Sequence, residues 1–73
     1  MIEYIINCAL KDNKKIDIIY MGEKEITVRQ IKPIRLTGDI LEAYCYMRNA
    51  VRHFRLESIL SASFQNDIYK KVG

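Results

Sequence analysis

The chain has no tryptophan, one histidine, one proline, two cysteines and three glycines, and no long apolar run. Each shortage removes a class of function. A membrane helix requires roughly 18 or more successive apolar residues, so no membrane partner is expected. The single histidine, His53, has no nucleophile at a telling spacing, so neither a catalytic residue nor an enzymatic activity is expected. Cys8 and Cys45 stand at neither metal-ligand nor CxxC spacing, which leaves no metal site and no cofactor in view. No glycine-rich loop is present to cradle a phosphate; Gly22 and Gly38 fit turns and Gly73 ends the chain. The N-terminus also lacks the basic start and apolar core of a signal peptide, so a cytoplasmic protein with reduced thiols is expected.

What is present fits one small domain over residues 1–73, with 49% hydrophobic and 29% charged residues. Such a chain lies near the lower size limit for a self-sufficient core, and a partner or self-association would help it. The positive charge is local. All five arginines, Arg29, Arg35, Arg48, Arg52 and Arg55, fall between residues 29 and 55, where six cations face only Asp39 and Glu42. The flanking segments are close to neutral, so the basic stretch is the part to interrogate.

Ile2, Ile5, Ile6, Ala9 and Leu10 recur at helical spacing and predict a first helix ending near Asp12 and Asn13. So short a helix is marginal alone and must lay its stripe against an end or edge of a sheet. From Lys14 to Met21 the apolar period becomes that of a strand, and after a turn at Gly22 it resumes from Glu25, giving a hairpin. The apolar phase then slips among Ile31, Ile34 and Leu36, which predicts a bulge or bend before Pro33, a residue that central strands exclude. Beyond a turn at Thr37, Gly38 and Asp39, a third strand runs from Leu41 to Arg48. It sets Leu41, Ala43, Cys45 and Met47 on a core face, with Glu42, Tyr44, Tyr46 and Arg48 opposite. Asn49 and Ala50 form a short loop, Val51 to Leu56 a fourth strand, and Ile59 to Phe64 a short fifth; the tail from Gln65 to Gly73 has no clear period. The fold expected is mainly β: an N-terminal helix plus a five-stranded, SH3-like or Sm-like small barrel.

In order and spacing, the residues resemble the WYL domain, a bacterial family usually attached to transcriptional regulators. Ala9, Lys14, Lys15 and Tyr20 match its opening helix and strand, and Arg29 and Pro33 its arginine before a proline. Leu41, Ala43 and Tyr44 follow, and Arg52, Phe54, Arg55 and Ile59 close the pattern. The naming tripeptide falls at Asp39, Ile40 and Leu41, so only its leucine is kept, and the usual aspartate-arginine before the late isoleucine is Glu57 and Ser58. The resemblance implies a Sm-like barrel that binds a nucleotide-type ligand or single-stranded nucleic acid through arginines.

Guanidinium groups beside aromatic rings are what such a ligand requires: the former for phosphates, the latter for unstacked bases. The candidate ligand-binding residues are therefore Arg29, Arg52, Arg55, Arg48, Tyr44, Tyr46 and His53; if the third and fourth strands pair, Tyr44, Tyr46, Arg48, His53 and Arg55 form one surface with Arg29 nearby. The competing expectation is that the tyrosines pack on the helix and the arginines pair with Glu42 and Glu57. Arg52 is in phase with Phe54 and Leu56, which points it inward; it must meet an acid such as Asp17 or line the mouth of an anion site. Two functions follow: a non-catalytic binding module for single-stranded nucleic acid or a nucleotide-type anion in transcriptional regulation, or a module that forms a homo-oligomer or docks on a regulator, DNA-binding or repair protein.

Overall fold

A computed structural model describes residues 1–65. The element order is α1 (Ile2–Asp12), β1 (Ile16–Met21), β2 (Ile26–Thr37), β3 (Ile40–Cys45), β4 (Ala50–Arg55), a 3-10 turn (Leu56–Ser58) and β5 (Ile59–Phe64). The unassigned tail, apart from Gln65, lies outside the described residues.

The helix forms where its apolar period predicts. It stops because Asn13 takes a left-handed conformation, with φ 57°, while the Lys14 N–H returns to the Ala9 carbonyl at 2.9 Å. Asparagine tolerates that conformation better than most residues. Ile6 and Ala9 are buried, with Ile2, Ile5 and Leu10 packed around them, and the helix lies against β5 and β2.

The strands form one antiparallel sheet in the order β4-β3-β2-β1-β5, and β4 is not hydrogen-bonded to β5, so the sheet is open. Its inner face and α1 enclose Ile16, Ile18, Ile31, Leu41, Ala43, Cys45, Phe54 and Ile59. Burying each large aliphatic side chain is worth about 1.5–3 kcal/mol, which makes this cluster the main source of cohesion. The sheet curls strongly enough that Tyr20 of β1 meets Phe54 of β4, with two strands between them, edge to face with centroids 5.0 Å apart.

Two expectations about the strands need correction. Pro33 is buried inside the central strand β2, paired with Ala43, and the register shift follows it, between Pro33 and Arg35. A proline is tolerated there because β1 pairs β2 only as far as Ile31, leaving the proline beyond that ladder and without a donor to satisfy. The third strand is also shorter than expected. It ends at Cys45, and a turn over residues 46–49, with Asn49 at φ 54°, leads into β4. Met47 therefore lies in the turn, 56% exposed, rather than in the core.

Candidate ligand-binding site

Period-two alternation along β2 sends Thr27, Arg29 and Ile31 to the inner face. Ile31 joins the core, whereas Arg29 lies nearer the rim. Its Nε donates to Thr27 Oγ1 at 3.1 Å and its Nη1 to Cys45 Sγ at 3.8 Å, so both ends of the guanidinium are held. Cys45 is fully buried. Burial pushes its thiol pKa up, but the Arg48 N–H, the Arg29 guanidinium and the Met47 N–H together outweigh burial and hold it below its ordinary value.

Arg52 shares the inner face with Phe54, opposite Ala43 on β3, yet it is exposed. Of the two fates its phase allowed, the structure shows the mouth of a pocket. That pocket, about 440 Å³ and open to solvent, is walled by Arg29, Arg48 and Arg52 together with Tyr20 and Thr27. The β1–β2 turn completes it with Gly22, Glu23, Lys24 and Glu25, so four cations stand against two carboxylates. Neither salt bridge among the described residues involves the three arginines; the bridges are Arg35–Glu42 at 3.7 Å and Arg55–Glu57 at 3.4 Å.

The remaining candidates are placed elsewhere. Tyr44 and Tyr46 lie on the outer face, ring centroids 5.0 Å apart, with Lys15 Nζ 4.7 Å from the Tyr46 centroid. His53 stands opposite Glu42 on the same outer face and is exposed. Arg55 is paired with Glu57 and faces the neighbouring pocket beyond Tyr20. Of the five side chains expected on one surface, Tyr44, Tyr46 and His53 lie on the outer face and Arg48 does not. The turn after Cys45 breaks the strand phase, which separates Arg48 from Tyr44 and Tyr46 and turns it toward Arg29 and Arg52. Nor do Tyr44 and Tyr46 pack on the helix, which lies against β5 and β2.

Tyr20, Thr27 and Cys45 were not among the expected site residues. Thr27 carried a legible signal, being two residues from Arg29 on one strand. Tyr20 stands opposite Thr27 in the β1–β2 register, and Cys45 stands opposite Ile31, the inner-face neighbour of Arg29, so both reach the site through strand pairing. Among the described residues no group of three His, Cys, Asp or Glu side chains could hold a metal ion, and no helix is long and apolar enough to cross a membrane.

The sequence profile of the WYL domain matches residues 4–64. The chain belongs to the WYL-domain family. Among solved structures, this WYL domain is similar to proteasome accessory factor B/C (PafBC) of Arthrobacter aurescens, at 28% identity and a TM-score of 0.79. The similarity covers 88% of this chain and 11% of PafBC, so the chain spans about a ninth of that protein's length. No curated protein matches the WYL chain by sequence.

Proposed function

We propose that this WYL domain, on an SH3-like or Sm-like barrel frame, is a non-catalytic module for transcriptional regulation. It binds a nucleotide-type anion or single-stranded nucleic acid. The observation that carries the proposal is the pocket in which Arg29, Arg48 and Arg52 converge without a salt-bridge partner among the described residues. Guanidinium groups donate to phosphate oxygens in pairs, and charge-assisted bonds of this kind are roughly twice as strong as neutral ones. The ties to Thr27 and Cys45 orient Arg29 in advance, which lowers the ordering cost of binding.

The outer face supports a second reading. Met21, Ile26 and Val28 on the β1–β2 hairpin are 49%, 58% and 64% exposed, which suits docking on another protein or a second copy. Titration of labelled single-stranded oligonucleotides at two salt concentrations separates the two. Phosphate-driven binding weakens steeply with salt, and an apolar interface hardly responds. Binding that persists unchanged at high salt, or in the Arg52→Ala variant, would sink the arginine reading.

A further inference from the structure

The arginine pocket does not stand alone. A second pocket of about 540 Å³ is lined by Tyr20, Met21, Gly22, Glu23, Arg55 and Ser58. Tyr20, Gly22 and Glu23 are common to both, so the two are neighbouring arms of one groove along the β1–β2 turn, with Tyr20 between them.

The arms differ in charge. The first holds Lys24, Arg29, Arg48 and Arg52 against Glu23 and Glu25. The second has one cation, Arg55, already 3.4 Å from Glu57, and one carboxylate, Glu23. What else it offers is the Tyr20 ring and Ser58, with Met21 at its edge. Such a lining suits a flat, uncharged, hydrogen-bonding group: aromatic edges pack on rings, and a carboxylate accepts from amino or ring N–H donors. In the first arm three arginines meet, which exceeds what a singly charged phosphodiester requires. A terminal phosphomonoester carries about −1.5 to −2 at neutral pH and presents three acceptor oxygens.

On the premise that the arginine pocket binds phosphate, as proposed above, we infer that the groove takes a nucleoside bearing a terminal phosphomonoester. Its phosphate lies among Arg29, Arg48 and Arg52, and its base passes Tyr20 into the arm between Met21 and Ser58. A free nucleotide and the phosphorylated end of a single strand share this chemistry.

Calorimetric titration of the 73-residue chain with AMP, adenosine, inorganic phosphate, and a short single strand with and without a terminal phosphate tests it. AMP is expected to bind about tenfold tighter than either adenosine or inorganic phosphate, a difference of about 1.4 kcal/mol. The phosphorylated strand should exceed its unphosphorylated form by a similar factor. A strand end as the natural ligand would bind more tightly than AMP; a free nucleotide would bind at least as tightly as the strand. Ser58→Trp, or Ser58→Leu as a second variant, fills the second arm and should remove the advantage of AMP over phosphate while leaving phosphate binding intact. AMP binding no tighter than phosphate, or equal binding of the two strands, overturns the inference while the arginine pocket stands. Absence of binding by every phosphate-bearing probe overturns both.

Discussion

The Tyr20 ring stands edge-on to Phe54, its plane turned 82° from that of its neighbour, with ring centroids 5.0 Å apart. Its hydroxyl accepts the Arg55 N–H at 3.3 Å. A single side chain on β1 thereby holds β4, although β2 and β3 lie between them in the sheet. The same ring divides the groove, so the contact that curls the sheet also sets the shape of the site.

Tyr20→Phe should keep the ring contact and lose only the hydroxyl bond, at about 0.5–1 kcal/mol. Tyr20→Ala should cost about 3 kcal/mol, because the aromatic pair and the packing beneath it disappear together. Urea unfolding of the two variants checks the split. Equal losses would mean that the ring does not hold β4.

For ligand binding, Arg29→Ala, Arg48→Ala and Arg52→Ala should each lose roughly 1–3 kcal/mol of affinity for a phosphate-bearing strand, as expected of charge-assisted hydrogen bonds. Arg35→Ala should change little, since Arg35 lies outside the pocket and pairs with Glu42. Arg55→Ala should fall between them. Stability must be measured on the same proteins, because an arginine stem also packs. Unchanged binding in all three pocket variants would transfer the function to the outer face.

The helix, the β1–β2 hairpin and β5 were legible because period and turn residues are local properties. The end of β3 was not. Tyr46, Met47 and Arg48 continue the alternation, while the left-handed Asn49 ends the strand and redirects Arg48. Arg52 was correctly phased to the inner face, but its exposure depends on how far the helix covers that face. Arg52 and Arg55 are three residues apart on β4, an odd spacing that points them to opposite faces despite their closeness in sequence.

Cys45 offers a pH test. With its thiol pKa depressed in the folded chain, its contribution to stability is complete above the ordinary cysteine value and is lost as pH falls through the folded value. The stability difference between the native chain and Cys45→Ala should therefore widen from about pH 7 to about pH 9. A difference that stays flat across that range would show that the Arg29 and backbone donors do not stabilise a thiolate.

Gly38 sits at φ 58° in the β2–β3 turn, with nothing within 4 Å of the place a Cβ would occupy. Gly38→Ala should therefore cost only backbone strain, about 1 kcal/mol, and Gly38→Asn less. Thermal unfolding of the two variants gives the comparison. A larger loss for asparagine than for alanine would contradict a purely conformational cause.

The order of the sheet also has a kinetic meaning. β1 to β4 pair with their sequence neighbours, whereas β5 must travel back to β1, where Phe64 meets Ile16. Closing that long loop costs chain entropy that the hairpins do not incur. The three hairpins should assemble first, and β5, with the helix laid against it, should seal the molecule last. Ile59→Ala is then expected to accelerate unfolding and leave the folding rate nearly untouched, whereas Leu41→Ala, at the heart of the hairpins, should slow folding itself. Stopped-flow chevrons of the two variants would show it. Resistance to slow opening would then be governed at the β5 seam, which begins beside Tyr20 and Arg55.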